Sequence, residues 1–576
     1  MKDPRIDLVL LWHMHQPDYR DAVDGSFMLP WTYLHAIKDY SDMAAHAERH
    51  PGVHTVFNFV PILLEQIEDY VRQFDEGRIR DPLLGLLQLA DLDAIELDER
   101  ALILDSAFAS NHQTMLEPYP EYRRLYELFR LAGGGARAGE QRNPRLEYLS
   151  GAFLGDLLTW YHLAWIGETE RRTNPLFGQL MARGSGFTHS ERLHLYEAIG
   201  AILRGLLPRY RALAERGCVE LSSTPHTHPI GPLLIDLACA HEAMPGAPLP
   251  AAAAYPGGTE RVRDQIAEAL KSHARRFGEV PQGIWPGEGA VSDAFVGELA
   301  RAGVRWTASS EAVLSNSLGK DGTIQHEQGR SWLYRPWLHP QATGLTLLFR
   351  DERLSDLIGF EYARWNGRDA AEHLVREIEA VAHAAPDDGT PVVLIALDGE
   401  NAWEYYPYNG YYFLEELYSR LEAHPWIRTR TMRELLDAGT IRPGVLPRLV
   451  AGSWVMGTLS TWIGDREKNR AWDLLCEAKL AYDRVVAQGS LGPAALAVAQ
   501  RQLAACEGSD WFWWLGPQNP AAGVARFDRL YRHNLRRLYQ LIGLPAPDSL
   551  DEPLNLGLAG GHHEAGGAMR RAHEPA

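Results

Sequence analysis

Two carboxylates in this chain stand where chemistry would need them. Val392–Leu397 is a run of six apolar residues that leads directly into Asp398, followed by Gly399, Glu400, Asn401, Ala402 and Trp403. A carboxylate at the end of a buried strand is costly unless it is paired or used. Glu288 lies between Gly287 and Gly289, just after Trp285-Pro286 and before a helix start at Ser292-Asp293. Glycine on both sides admits a ligand or an unusual backbone angle. The first apolar run ends in His13-Met14-His15-Gln16-Pro17, and strand alternation puts His13 and His15 on one face. His226 and His228 sit in a proline-bounded loop after Val219–Ser223, and Arg350 follows Leu345–Phe349 as a candidate orienting cation. Trp285, Trp403, Tyr405, Tyr406 and Tyr408 supply aromatic faces of the kind on which a sugar ring stacks. Each residue also has a purely structural reading: a helix-capping aspartate, a turn glutamate, solvated loop histidines, an Arg350–Asp351 ion pair.

Two carboxylates at the ends of different strands are the minimum equipment for glycoside hydrolysis, one ionised as nucleophile and one protonated as general acid. A separation of about 5–5.5 Å would define a retaining enzyme. A dry pocket and a neighbouring anion raise the acid's pKa, while hydrogen bonds and cations keep the nucleophile ionised.

The elements that would position these groups follow from apolar patterning. Short β-branched runs predict strands at Ile6–Trp12, Val53–Val60, Val219–Ser223, Val304–Ala308, Leu345–Phe349 and Val392–Leu397, with weaker ones at Gly283–Trp285 and Trp426–Thr431. Helical patterns lie between most of them, including Pro61–Phe74, Glu191–Arg216, Gly258–Phe277, Asp293–Ala302 and Ala370–Ala384. Alternating strand and helix argues for an α/β fold with a parallel sheet, open or closed into a barrel, whose sites gather at the carboxyl ends of the strands. Residues 91–190 break this rhythm and read as a helical insertion over one face. From about Arg448 the strands stop, and Ala471–Val486, Pro493–Ala505 and Val524–Ile542 read as a helical bundle over 448–554. Residues 555–576 are rich in Gly, His and Ala and are expected to be a disordered tail.

Composition narrows the function class. With 57 basic against 75 acidic residues the net charge is −18, which repels phosphate backbones and anionic lipid, so neither nucleic acid nor membrane is an expected partner. Four Cys in 576 residues cannot form a disulfide scaffold, and they show no metal-binding spacing; no cofactor and no metal are expected. The Ile6–Trp12 run is too short and too polar for a signal peptide, and no apolar stretch is long enough to span a bilayer, so a soluble, cytoplasmic protein is expected.

The ordered set His13–Pro17, Glu220–His228, Trp285–Glu288 and Asp398–Trp403 resembles the signature regions of glycoside hydrolase family 57, with Thr431–Leu436 where a fifth, weaker region lies. The resemblance runs from Ile6 to Leu436, and its wording is most similar to the amylopullulanase and α-amylase branch. It implies an incomplete seven-stranded parallel (β/α) barrel over residues 1–447, followed by a helical bundle. It also implies retaining cleavage of α-glucosidic bonds in glycogen, starch or maltodextrins, α-1,4 with α-1,6 left open. Glu288 would be the nucleophile and Asp398 the general acid/base. His13, His15 and Trp403 would line the subsite of the cleaved bond. From their own positions at and just beyond strand ends, His226, His228, Trp285, Arg350 and Glu400 are expected as further substrate contacts. Gly287 and Ala402 stand where amylopullulanase-like enzymes often carry Ser and Pro.

Three other readings compete. A branching enzyme or 4-α-glucanotransferase shares the covalent intermediate and differs only in the acceptor; a lid or aromatic cover that excludes water would favour it. Candidate covers are Asn111–Tyr122, the 91–190 insertion and Trp511–Trp514. A metal-dependent polysaccharide deacetylase would use clustered His, but His13 and His15 lack an adjacent acid. A non-catalytic carbohydrate-binding protein would need the aromatics without both carboxylates. Trp12, Trp285, Trp337 and Trp403 are expected near the site. Trp454, Trp462 and Trp472 are expected inside the bundle, and Trp511–Trp514 at the seam between bundle and barrel.

Overall fold

A computed structural model describes residues 5–134, 147–320, 330–382 and 389–554. The predicted tail, 555–576, lies outside the described residues. The strands are β1 (Ile6–Met14), β2 (Thr55–Phe59), β3 (Val219–Ser223), β4 (Gly283–Ile284), β5 (Trp306–Ser310), β6 (Trp337–Leu338), β7 (Thr346–Arg350), β8 (Val392–Asp398), β9 (Ile427–Thr429) and β10 (Gly444–Val445). They form one sheet in the order β10-β6-β7-β5-β4-β3-β2-β1-β8, with β9 alongside the start of β1. Every pairing is parallel except β6 with β7. The seven strands from β7 round to β8 curl into an incomplete barrel. At the gap, the Asp351 N–H reaches the Leu394 carbonyl at 2.8 Å and Arg350 Nη1 reaches the Ala396 carbonyl at 3.1 Å, without a β7–β8 ladder among the described residues.

Alternation along the strands divides the barrel into an apolar floor and a polar rim. Val9 and Leu11 of β1, Val56 of β2, Leu348 of β7 and Leu394 and Ala396 of β8 form one buried cluster with Trp285, Trp306 and Ala308. The intervening residues, such as Leu8, Leu10 and Trp12, pack outward against the helices. The inward series of each strand then turns polar toward its carboxyl end: Leu11 is followed by His13, Val56 by Asn58, Leu348 by Arg350 and Ala396 by Asp398. The two-residue period therefore delivers these groups to one end of the barrel.

Helices cover the outside where the patterning predicts them. Pro61–Glu76, His189–Glu215, Gly258–Phe277, Asp293–Arg301 and Gly367–Val381 each fall within a few residues of expectation. Thr188 and Glu191 form a reciprocal capping box at the start of His189–Glu215, and the Ser292 side chain caps Asp293–Arg301. The insertion between β2 and β3 is helical, including Leu97–Ala107, Pro120–Leu131 and Gly151–Ala164. The C-terminal part is built on Arg466–Ala487, Pro493–Cys506 and Ala521–Leu541, with the short helix Asp510–Trp514 among them. Before the bundle begins, the chain returns to the barrel: Val291 and Gly452 bridge, and the Trp454 N–H donates to the Glu288 carbonyl at 3.0 Å. Among the described residues no helix is long and apolar enough to cross a membrane.

Candidate active site

Glu288 and Asp398 face one cavity at the polar rim, lined also by His13, His15, His228, Glu400 and Asn401. Its far wall comes from the C-terminal part: Trp454, Asp510, Trp513, Trp514 and Arg526. Glu288 takes the left-handed conformation, φ 56° and ψ 25°, costing on the order of 1–3 kcal/mol for a non-glycine residue. The surrounding contacts hold it there. A Cβ on Gly287 would meet the Pro229 carbonyl oxygen at 2.4 Å, so the loop carrying His228 presses directly on the Glu288 turn and only glycine fits between them.

The Glu288 carboxyl is gripped from the C-terminal side. Ser509 Oγ lies 2.9 Å from Oε1, and Trp454 Nε1–H donates to Oε2 at 3.1 Å. Behind Ser509 runs a chain of buried groups: His228 Nδ1 is 2.8 Å from Ser509 Oγ, His228 Nε2 is 3.0 Å from His13 Nε2, and His13 Nδ1 is 2.7 Å from Asn58 Oδ1. Asn58 uses its amide N–H groups on Ser222 Oγ and the Ser223 carbonyl, so its oxygen must accept from His13. Burial, with the nearby His15 charge second, lowers the His13 pKa to about 3 and likewise holds His228 well below the usual imidazole range. Both rings are therefore neutral, and Asn58 fixes the His13 proton on Nδ1. His228 Nε2 faces both His13 Nε2 and the Glu288 backbone N–H, 3.4 Å away, while Ser509 Oγ donates its proton to Glu288.

Burial raises the Glu288 pKa to about 8, with Asp510 and then Asp398 adding to the effect. Asp398 is raised to about 6, again chiefly by burial, against the Asn401 amide 2.8 Å away and the charges of His15 and Arg350. Glu400 is buried, and burial followed by the Asp398 charge pushes its pKa well up. Folding therefore binds protons at Glu288. The folded state keeps its proton up to about pH 8, while the unfolded chain releases it near 4.5, so this group's contribution to stability declines as pH rises through that window. Glu288→Gln removes the titration. Its melting temperature relative to the parent should climb steadily from pH 5 to pH 8; a gap independent of pH would contradict a raised Glu288 pKa.

Asp510 is bonded to His15, with Nε2 3.0 and 2.9 Å from its two oxygens. The turn that delivers Ser509 and Asp510 is anchored by the adjacent Glu507, which is fully buried. Arg261 binds it with Nε at 2.7 Å and Nη2 at 3.0 Å, and Tyr255 Oη and Gln265 Nε2 each donate at 2.7 Å. A buried carboxylate with this many donors is compensated, whereas removing one partner of such a pair costs about 3–5 kcal/mol. The barrel helix Gly258–Phe277 thus fixes a bundle turn inside the site.

A match to the glycosyl hydrolase family 57 model covers residues 9–448. The chain belongs to that family. Its fold is similar to solved family-57 structures at low identity. Against the branching enzyme from Thermococcus kodakaraensis the TM-score is 0.56 at 15% identity, covering 93% of this chain and 90% of that one. Against the α-amylase from Thermotoga maritima it is 0.52 at 14%, covering 95% of each. Against the 4-α-glucanotransferase from Thermococcus litoralis it is 0.50 at 15%, covering 93% of this chain and 60% of that one.

Not all residues predicted for the site reach the cavity of this family-57 chain. Glu288, Asp398, His13, His15, His228 and Glu400 do. His226 instead pairs with Glu65 at 2.9 Å. Arg350 lies beneath, capping the Ala396 carbonyl with its guanidinium 5.2 Å from the Trp454 ring, and it acts on Asp398 through its charge. Trp403 is buried against Trp12, with its indole N–H on the Gly399 carbonyl at 2.9 Å, so it braces the turn after Asp398 instead of offering a stacking face. Trp285 is likewise buried in the barrel floor, and Trp337 of β6 is not part of the lining. Tyr406 is buried and bonds the Ile358 carbonyl. Trp454, expected in the bundle interior, is instead a Glu288 ligand. The Trp511–Trp514 cluster is divided: Trp511 and Phe512 pack on Tyr531 and Trp472, whereas Trp513 and Trp514 line the cavity. Sequence reasoning missed Asn58, Trp454, Ser509, Asp510 and Arg526.

Among the described residues, His15, His228 and Asp510 have ligand atoms within 4.8 Å of one another, close enough to share a metal ion. Their geometry suits a hydrogen-bonded cluster better. The two imidazoles stack at 4.0 Å and 22° instead of converging on a point, and both His228 nitrogens are engaged, by His13 and Ser509.

Proposed function

We propose that this chain cleaves α-glucosidic bonds with retention, through a covalent glycosyl-enzyme intermediate on Glu288, with Asp398 as general acid/base. The observation that carries this reading is the pair of buried strand-end carboxylates on one aromatic-walled cavity. The Ser509 hydroxyl and Trp454 indole stabilise Glu288 as it ionises, and Asn401 orients Asp398. His13, His15 and His228 form a packed, hydrogen-bonded wall beside them. Glycosylation needs one proton on the carboxylate pair, and microscopic reversibility returns it when the acceptor attacks.

With Glu288 raised to about 8 and Asp398 to about 6, the empty site holds one proton on the pair between those values. Rate limbs belong to the pair, whichever carboxyl carries the proton. The kcat/KM profile should therefore be bell-shaped, falling below about pH 6 and above about pH 8. A rate still flat at pH 4.5 would contradict the raised Asp398.

Transfer to a glucan hydroxyl is the second reading. The aromatic wall of Trp454, Trp513 and Trp514 supports it, because such a wall displaces water from one side of the cavity. Incubation with amylose and with pullulan tests both readings. New reducing ends mean hydrolysis. New α-1,6 linkages without new reducing ends mean branching, and altered chain lengths at constant reducing ends mean transfer. No change in either glucan would refute the proposal.

A further inference from the structure

The cavity at the carboxylates adjoins a second chamber. Trp31, Ala109 and Arg526 line both. The second chamber continues between the insertion helix Leu97–Ala107 and the bundle helix Ala521–Leu541, and it is lined further by Asp105, Tyr161 and Arg529. Its volume is 400 Å³. Small-molecule sites run from about 300 Å³ upward, so the chamber has room for sugar units.

One charged group with accessible surface in this region is left without a protein partner. Arg526 is half-buried at the junction and, among the described residues, makes no hydrogen bond or ion pair. Burial holds its pKa below the ordinary arginine value. A partly desolvated guanidinium without an acceptor favours a ligand that supplies one. A guanidinium fork beside the Trp31 indole matches the alternating hydroxyls and apolar faces of a glucosyl unit.

We propose that the second chamber binds the glucosyl residues of an α-glucan beyond those held at Glu288 and Asp398, with Arg526 bonding the chain where it passes between the chambers. Selection for long chains follows. This inference rests on the function proposed above and adds the location and residues of the distal binding site.

Affinity in an inactive background tests it without depending on the acceptor. The Glu288→Gln protein should bind maltoheptaose more tightly than maltotriose by titration calorimetry. Adding Arg526→Met should reduce that preference roughly 10-fold or more, the loss expected for a charged hydrogen bond. Because Arg526 makes no hydrogen bond or ion pair among the described residues, the Arg526→Met substitution should not lower the melting temperature, which guards against misfolding as the explanation. Equal affinity for the two sugars, or equal weakening of both by the substitution, would overturn this inference alone. Failure to bind either sugar, together with unchanged amylose and pullulan, would overturn the proposed function and this inference with it.

Discussion

Glu288→Gln is expected to lower kcat on amylose at least roughly a thousand-fold, the loss typical when a covalent nucleophile is removed. Glutamine keeps the shape of the side chain, so the contacts that hold the left-handed turn are retained and the loss reports chemistry. Glu288→Ala provides the sharper test. It leaves a space faced by the Ser509 hydroxyl and the Trp454 indole N–H, two donors that bind Glu288 at 2.9 and 3.1 Å. An added anion can occupy that space, so azide should restore turnover and yield a glycosyl azide. Absence of rescue, with the residual rate unchanged by azide, would contradict a nucleophilic Glu288.

Asp398→Asn should behave differently. On amylose the leaving group is a sugar alkoxide that needs a proton, and losing the general acid should cost about a hundred- to ten-thousand-fold. On a glucosyl fluoride no such proton is needed, so formation of the intermediate should be nearly unaffected. Its breakdown should still slow, because the same residue must deprotonate the acceptor. An initial burst of fluoride followed by slow turnover is therefore expected. Equal losses in the Glu288 and Asp398 variants on both substrates would argue against the division of roles.

Much of this site was legible because the barrel writes its rim into each strand. His13 and Asp398 extend inward-facing apolar series, and an apolar run that meets a charge at its end is visible without any structure. The strands themselves were readable for the same reason, since strands covered on both faces are nearly all apolar. The helical segment Trp31–Arg49 was harder. It buries Lys38, Asp39, Asp42 and His46, and a π-helical turn at Ala36–Tyr40 shifts its phase, so an apolar period was hidden. Trp403 was legible as important but not for its use. An indole beside the turn after Asp398 can stack on a ligand or brace the turn, and its burial against Trp12 and its hydrogen bond to Gly399 separate the two.

The sequence by itself determined the fold class and pointed to the two strand-end carboxylates and the paired histidines that share one cavity, because periodicity and composition are local and burial of a charge at a strand end is improbable without a purpose. The family resemblance drawn from the same motifs agrees with the match over residues 9–448. Only the tertiary structure decided what surrounds Glu288. Its partners Trp454 and Ser509 lie 166 and 221 residues away along the chain, and a Ser-Asp pair at a helix start reads as an ordinary cap. Ser509 depends on the Arg261–Glu507 contact that seats the bundle on the barrel and Trp454 on the Val291–Gly452 bridge, and no periodicity records a meeting between elements so far apart in sequence.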